Sequence, residues 1–275
     1  MRAPEKGVVL IYVLVVLAVS SAVVVAMVGR SEQSITSGRL FADAAQAQAL
    51  VSAGEASAIA ALRRDPPEID HRNEGWAKVA QADLAIAGGR FQLEISDAQG
   101  RYNLTNLAAG GVLAQDRLRA ILAALDLEPG LAPRLVAAFA SEHPPQSLRQ
   151  VPGLTPTDLA ALDPLVTVLP LPAEVNINAA PVRLLAALLA NPVQARKLAL
   201  RRDAQGFLTL QDVAGMGVIL PPGIGVRSDF FALRVSVQMG DALGVTDSLI
   251  WRKPEGVVRV VRRQREALVP EPPAP

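Results

Sequence analysis

Residue types that usually carry catalysis are scarce in this chain. Its 275 residues include no cysteine and only two histidines, His71 and His143. The lack of cysteine excludes disulfides, thiolate metal sites and a cysteine nucleophile, and two histidines argue against a multi-histidine metal centre. His71 lies near Asp70 and Glu74, a combination that could hold a metal, although a polar loop explains the segment more simply. No nucleophile, base and orienting group form a recognisable set, so we expect no enzyme.

Two further groups of residues could do chemistry but have simpler explanations. Four glycines, at 215, 217, 223 and 225, could approach a phosphate, but their spacing misses the dinucleotide fingerprint and Pro221-Pro222 interrupts them, which favours a loop. Asp158 and Asp163 could be catalytic acids, but Thr155-Pro156 just before Asp158 predicts a helix N-terminus. We therefore interpret both carboxylates as helix caps.

Composition gives no electrostatic indication of a partner. Lys and Arg number 27 against 26 for Asp and Glu, a formal net charge of +1. Hydrophobic residues make up 51% and aromatic residues only 4%, so the apolar content comes mainly from Ala, Val and Leu. This composition favours helices and a membrane segment, and it provides no bulk attraction to nucleic acid.

Residues 8–28 predict a transmembrane helix. They include no charged residue, and at 1.5 Å per residue they span about 32 Å, close to the thickness of a bilayer core. Arg2 and Lys6 precede the run, which favours an N-terminus in the cytoplasm and the remainder on the other side. The run is too long for an ordinary secretory signal.

The helix is predicted to continue beyond the membrane and to carry the rest of the chain. Residues 29–64 stay helical in character, with an apolar stripe, and Asp65-Pro66-Pro67 ends them. The whole helix should have about 55 residues. The predicted stripe consists of Leu40, Phe41, Ala44, Ala45, Ala49 and Val51.

Strands are predicted on both sides of a helical middle, which indicates an α+β domain with a helical insertion. Residues 91–96 alternate and are followed by turn residues 97–100 and a second short strand, 101–104. Residues 231–238 alternate again, and 249–251 with 257–261 predict a hairpin. Helices are predicted at 116–125, 131–141, 155–162, 180–190, 191–202 and 209–214.

The front edge of the apolar run resembles the class III leader of type IV pilin-like proteins. Lys6-Gly7 stands directly before Val8 and the apolar run. The resemblance implies that a prepilin peptidase cleaves after Gly7 and that Val8 is N-methylated. Most pilins carry Glu at the fifth mature position, whereas this chain has Tyr12. A carboxylate in hydrocarbon is costly unless it is paired, so its loss suits a subunit at the tip of a filament.

Four segments that follow the leader in order make the resemblance specific. They are 97–104 (DAQGRYNL), 147–153 (SLRQVPG), 175–180 (VNINAA) and 228–233 (SDFFAL). With the leader, they resemble the general secretion pathway protein K family, the large minor pseudopilins of type II secretion systems. The motif residues carried over from the family are Asp97, Gly100, Arg101, Asn103, Gly153, Asn176 and Asn178.

The resemblance implies an α+β, type IV pilin-like fold. A long N-terminal helix and a small antiparallel sheet should carry a large inserted α-helical domain containing helix-hairpin-helix-like units. We expect a leader peptide at 1–7, the transmembrane helix at 8–28, the periplasmic helix and first strands at 29–108, the inserted domain at 109–225, the remaining strands at 226–267 and a disordered tail at 268–275.

The resemblance also implies a function, a location and partners. The protein should be a single-pass protein of the bacterial inner membrane with its C-terminal domain in the periplasm. It should initiate or cap the pseudopilus at its tip, for export of folded proteins across the outer membrane. Expected partners are the other minor pseudopilins, the major pseudopilin, the prepilin peptidase and the inner-membrane assembly platform, with no nucleic acid.

Many members of the family bind calcium in the inserted domain. Here the corresponding stretch, 139–146, has a single carboxylate, Glu142. Calcium takes about six to eight oxygen ligands, several of them usually carboxylates, so we expect no cofactor and no metal.

The alternative function is a membrane-anchored DNA receptor of a DNA-uptake system. Residues 175–217 also resemble its paired helix-hairpin-helix units, in which a glycine turn lets backbone amides approach a phosphate. The second turn keeps Gly215-Met216-Gly217, but the first has Asn191-Pro192, and proline has no amide donor. Arg196, Lys197, Arg201 and Arg202 offer only a modest basic surface.

Overall fold

The computed structural model describes residues 6–108, 111–253 and 255–266. Residues 1–5 of the predicted leader and the predicted tail at 268–275 lie outside the described residues. The predicted domain boundaries stay predictions, but the class of fold is confirmed: a long N-terminal helix, an antiparallel sheet and a helical domain inserted between two of its strands.

One helix, α1, runs over Lys6–Arg64 and has 59 residues. At 1.5 Å per residue it is about 90 Å long. The helix is continuous from the apolar run into the half that carries the apolar stripe. It ends just before Asp65-Pro66-Pro67, because a proline disfavours helical backbone at the residue that precedes it. The expected single long helix is therefore present.

The sheet has five antiparallel strands in the order β1-β2-β7-β8-β9. Neighbours in the sheet are not all neighbours in sequence, because β2 pairs with β7 along its whole length, from Gly89 opposite Met239 to Asp97 opposite Phe231. Everything between 98 and 229 is therefore inserted at one end of the sheet. The strands are β1 (Gln81–Ile86), β2 (Gly89–Asp97), β7 (Phe230–Met239), β8 (Ala242–Arg252) and β9 (Val258–Glu266).

The outer half of α1 packs on one face of this sheet through small side chains. Ala47, Val51 and Ala58 are buried against sheet residues such as Phe231. At Gly54 a Cβ atom would lie 3.0 Å from Phe91 Cζ, so glycine permits the close approach of helix and sheet. Burial of this apolar seam holds the helix to the sheet.

The buried stripe of α1 matches the predicted one only in part: Val51 is buried, and Leu40 and Ala44 are half-buried. Phe41 is 77% exposed, and Ala45 and Ala49 are exposed as well. The contact between α1 and the sheet begins near Ala47, which lies on a different face of the helix from Phe41. The prediction for Phe41 was wrong because an alanine-rich helix has apolar residues on several faces, and only the position of the sheet decides which face is covered.

The inserted domain has its own core. Its helices surround fully buried side chains that include Leu118, Leu135, Phe139, Leu162 and Leu184. The helices are α2 (Gly111–Ala124), α3 (Leu131–Phe139), α4 (Pro156–Leu162), α5 (Val182–Leu189), α6 (Pro192–Gln205) and α7 (Leu210–Gly215). All six predicted helices are present, with shifted ends.

Two pairs of short parallel strands also lie within the inserted segment. They are β3 (Tyr102–Asn103) with β4 (Val166–Thr167), and β5 (Val175–Asn176) with β6 (Ile224–Gly225). The predicted second strand at 101–104 is thus only two residues long, and it pairs with β4. The 3-10 turn Ala98–Gly100 directs the chain out of the sheet. The true partner on that side, β1, was missed because its exposed residues show no clear alternation.

Candidate functional site: an exposed apolar helix and a buried polar junction

The first half of α1 is an apolar surface that the described part of the chain leaves uncovered. Side chains from Leu10 to Val28 are exposed, and Tyr12 is 69% exposed. The helix is long and apolar enough to cross a membrane. Gly7 and Val8 lie in its first turn, so the predicted cleavage site and the fifth mature residue share one continuous helix. An exposed apolar surface of this length is typical of a segment that contacts lipid or another protein.

Asp97 and Asn176 meet where the inserted domain joins the sheet. The Nδ2 group of Asn176 donates to Asp97 Oδ2 at 2.8 Å, to Ser228 Oγ at 3.0 Å and to the Asp70 carbonyl at 2.9 Å. Ser228 Oγ in turn donates to Asp97 Oδ2 at 2.6 Å. Residues from the end of β2, from β5 and from the start of β7 are therefore joined by one hydrogen-bond network.

An arginine from β8 extends this network to the end of α1. Arg252 Nη2 donates to both Asp70 oxygens, at 2.5 and 2.6 Å, and Arg252 Nη1 donates to Asp65 Oδ2 at 2.9 Å. Ser228 N donates to Asp70 Oδ2 at 2.7 Å. The side chains of Arg252, Asp65 and Asp70 are all nearly fully buried. We call the group formed by Asp65, Asp70, Asp97, Asn176, Ser228 and Arg252 the polar junction.

Burial changes the acid–base behaviour of the polar junction. It raises the pKa of Asp97 to about 6, although Ser228, the Gln99 amide and Asn176 donate hydrogen bonds that favour the charged form. Burial and the neighbouring Glu74 carboxylate raise the pKa of Asp65 to about 6. Burial also raises the pKa of Asp70, against the opposing charge of Arg252. The junction thus holds more carboxylates than it can neutralise.

The remaining motif residues position loops of the inserted domain. Asn103 accepts from Leu169 N at 3.0 Å and donates to the Leu171 carbonyl at 2.8 Å. Asn178 forms the same kind of bridge to Leu208, accepting at 2.8 Å and donating at 3.0 Å. Each buried amide satisfies backbone groups that would otherwise lack a partner.

Glycine suits the two motif positions, 100 and 153, for different structural reasons. A Cβ atom at Gly100 would lie 2.9 Å from both the Cβ and the carbonyl oxygen of Ala179, so only glycine fits this contact. Gly153 has φ +75°, in the left-handed region that glycine adopts without strain. Arg101 lies apart from the polar junction, where its Nη1 donates to the Asp163 carbonyl at 3.3 Å.

Sequence reasoning missed Asp65, Asp70 and Arg252 as members of the polar junction. Asp65 and Asp70 belonged to segments that predicted only a helix stop and a loop. Arg252 is the last residue of β8, a strand whose other residues are mostly buried. A charged side chain is rarely buried at such a position unless it has a partner. A buried arginine needs a carboxylate, but the sequence does not say which one.

The candidate metal ligands are explained by other contacts. His71 stacks on Phe207 with ring centroids 4.2 Å apart, and burial lowers its pKa. Within the described ranges, the group of metal-type side chains lying within 4.8 Å of one another is Asp65, Asp70 and Glu74, and Arg252 already donates to two of them.

The stretch 139–146 offers few ligands for the calcium that the family resemblance implies, and the absence of a metal stays a prediction. In the 139–146 stretch only Glu142 offers a carboxylate, far short of the ligands that calcium needs. At the end of this stretch the carbonyl oxygen of Gln146 accepts a hydrogen bond from Arg262 Nη1 at 2.6 Å.

Of the two carboxylates interpreted as helix caps, Asp158 caps α4, whereas Asp163 lies at the C-terminal end of that helix with its side chain near Arg101. Thr155 and Asp158 form a reciprocal capping box at α4, with hydrogen bonds of 2.9 and 3.1 Å to each other's backbone amide. Helices α5 and α6 form a hairpin through Ala190, which has φ +49°. Asn191 caps α6, because its side chain accepts a hydrogen bond from Gln194 N at 3.0 Å. In a DNA-binding hairpin a phosphate would accept a hydrogen bond from a backbone amide at this position.

Known proteins resemble this chain both in sequence and in fold. A family model described as "Type II secretion system (T2SS), protein K" matches residues 175–230. The type II secretion system protein K of Pseudomonas aeruginosa (strain PAO1) is 28% identical over 311 residues, covering 96% of this chain and 93% of that protein. A chain in the crystal structure of the GspK-GspI-GspJ complex from enterotoxigenic Escherichia coli has a TM-score of 0.61 and 21% identity, covering 87% of this chain and 99% of that one. The structural likeness establishes a shared fold.

Proposed function

Because this chain belongs to the type II secretion system protein K family, we propose that it is a minor pseudopilin that initiates or caps the pseudopilus at its tip. In this role it is a structural subunit without enzymatic activity, cofactor or metal. The apolar half of α1 holds it in the bacterial inner membrane until that helix packs among the helices of its partners. The head then lies in the periplasm.

The observation that carries the proposal is the position of the inserted domain. The sheet strands run along α1: Gly244 lies beside Ala47, whereas Arg252 contacts Asp65 at the far end of the helix. The inserted segment leaves β2 at Asp97 and returns to β7 at Phe230, so it joins the sheet at the end remote from the membrane. A bulky domain there obstructs a further subunit above it, which suits a terminal position.

Tyr12 supports the same position. Within a filament, an acid at the fifth mature position can pair with the N-terminal amine of a neighbouring subunit. Tyr12 cannot form that pair, because its side chain has no carboxylate. A subunit without the acid is best placed where no such neighbour exists.

The proposed partners follow from the same reasoning. The solved neighbour is found in a GspK-GspI-GspJ complex, and we propose that this chain likewise assembles with the other minor pseudopilins. The major pseudopilin, the inner-membrane assembly platform and the prepilin peptidase complete the set. Nucleic acid is not among the partners that we propose.

Mass spectrometry of the mature N-terminus tests the processing step. We expect a protein that starts at Val8 and carries one methyl group on its amine. A Gly7→Leu variant should keep its leader, and a matched Gly29→Leu variant, altered at a helical glycine with nothing within 4 Å, should be processed normally. A mature chain that starts near Met27 would contradict the proposal.

Localisation within assembled fibres tests the position. Epitope-labelled protein should appear once, at one end of each pseudopilus, and deletion of the gene should reduce secretion of folded exoproteins. Labels repeated along the fibre, or normal secretion after deletion, would overturn the proposal.

A further inference from the structure

A cavity on the face of the sheet remote from α1 gathers three arginines from distant parts of the chain. Its volume is about 600 Å³. Arg101 follows the 3-10 turn Ala98–Gly100, Arg149 lies in the 3-10 turn Leu148–Gln150, and Arg262 belongs to β9. The cavity therefore forms only where the sheet and the inserted domain meet.

Negative charge in the cavity does not balance these arginines. Among its described lining residues, Asp163 supplies the one carboxylate. That side chain is 74% exposed and lies 3.7 Å from Arg101 Nη1, so water weakens the pair. Within the described ranges, Arg149 and Arg262 have no ion pair. Three arginines thus line the cavity together with one solvated carboxylate.

Arg262 is held in the cavity by backbone carbonyls, near the positive charge of Arg101. Its Nη1 donates to the Gln146 carbonyl at 2.6 Å and the Val168 carbonyl at 3.3 Å, which fixes the side chain in a half-buried position. Burial, together with the positive charge of Arg101, lowers its pKa. Its remaining N–H groups can still donate, because a guanidinium has five. An anion between Arg101 and Arg262 would relieve their repulsion.

We propose that this cavity, which we call the arginine cavity, binds a ligand that carries two or more carboxylate groups. Guanidinium forks match carboxylates in bidentate geometry. The volume suits a small molecule or a few acidic side chains of a protein segment. Gln146 and Gln264 supply neutral amide donors beside the arginines. The proposal concerns binding by the isolated protein and does not depend on the function proposed above.

Titration calorimetry of the full chain in detergent tests the arginine cavity. The probes are citrate, inorganic phosphate and the peptide acetyl-Glu-Glu-Glu-amide, with chloride at matched ionic strength as reference. We expect saturable binding of citrate or the peptide. Tighter binding of citrate identifies a free polycarboxylate as the source, and tighter binding of the peptide identifies an acidic protein segment.

Two variants locate the binding. Arg149→Gln should weaken it about tenfold, the effect of losing one charge-assisted hydrogen bond, and should leave the unfolding temperature unchanged because the side chain is exposed. Arg119→Gln, an exposed arginine of α2 that pairs with Asp116, is the matched control and should bind as the wild type does. The proposal is overturned if neither carboxylate probe saturates, if phosphate binds as tightly as citrate, or if Arg149→Gln has no effect.

Discussion

Arg252 and Asp70 form a buried ion pair in which one guanidinium nitrogen, Nη2, lies 2.5 and 2.6 Å from the two carboxylate oxygens. The pair joins the end of β8 to the segment that follows α1. Arg252 also lies over the ring of Phe231, 5.0 Å from its centroid, and its Nε is buried without a hydrogen-bond partner in the described structure. One side chain therefore connects helix, sheet and inserted domain.

Removal of Arg252 should strongly destabilise the head. Arg252→Met leaves Asp65 and Asp70 buried without their cation, a change that typically costs about 3–5 kcal/mol. Urea unfolding of the full chain in detergent at pH 7 measures the loss. Arg90→Met is the matched control, because its pair with Asp83 is exposed and should contribute at most about 1 kcal/mol. Equal losses in both variants would contradict the role of the polar junction.

Stability should depend on pH through the polar junction. The pKa of Asp97 and of Asp65 is raised to about 6 by burial, so the folded protein binds these protons more tightly than the unfolded chain does. The stabilisation is full below pH 4 and is lost as pH rises through about 6. We expect a greater free energy of unfolding at pH 5 than at pH 7.5. His71, whose pKa is lowered by burial, acts in the opposite direction and reduces the difference.

The substitution Asp97→Asn isolates the contribution of one of these two carboxylates. Asp97→Asn removes one titrating group, so the rise in unfolding temperature between pH 7.5 and pH 5 should become smaller. Asp83→Asn, at an exposed carboxylate, should leave the rise as it is in the wild type. Identical pH profiles for Asp97→Asn and the wild type would show that Asp97 does not carry the effect.

Glycine substitutions should separate close contacts from open helix. Gly100→Ala places a methyl group 2.9 Å from the Ala179 carbonyl oxygen, and overpacking of this kind costs about 1–3 kcal/mol. In Gly38→Ala the new methyl group has nothing within 4 Å, and alanine is the better helix former. Thermal unfolding should therefore show a lower midpoint for the first variant and an unchanged or slightly higher one for the second.

Phe41 should matter for assembly and not for folding. It is 77% exposed on α1, outside the contact with the sheet. Phe41→Ser should leave the unfolding temperature unchanged and reduce co-purification with the other minor pseudopilins. Phe91→Ser is the contrasting variant, because Phe91 packs in the core between α1 and the sheet, and it should lower the unfolding temperature. Full co-purification of Phe41→Ser would argue against a helix contact at this position.

Local patterns were enough to predict most elements. The uncharged run at 8–28 and the prolines at 66 and 67 predict the extent of α1, because hydrophobic length and the missing amide of proline act within a few residues. Thr155-Pro156 and Asn191-Pro192 predict the starts of α4 and α6 for the same reason. These predictions are confirmed. Each depends only on residues that are close together in the sequence, so it requires no knowledge of distant contacts.

Two details that depend on distant parts of the chain were not predicted. The segment 101–104 was expected to form a second strand after the turn at 97–100, but only Tyr102 and Asn103 form one, and their partners are the distant Val166 and Thr167. Phe41 was expected to be buried but lies on an open face. In both cases the local sequence shows that a residue is suited to strand pairing or to burial. Residues far away in the chain decide whether it finds a partner.

The amino-acid sequence alone determined that this protein has an apolar anchoring helix, a sheet interrupted by a helical insertion and a set of family motif residues. Only the tertiary structure decided that Asp97 and Asn176 share a network with Asp70 and Arg252, and that Arg101, Arg149 and Arg262 line one cavity. The physical reason is range: helix propensity, capping and hydrophobic length act between neighbours, whereas a buried charge can be satisfied by any opposite charge that folding brings to it.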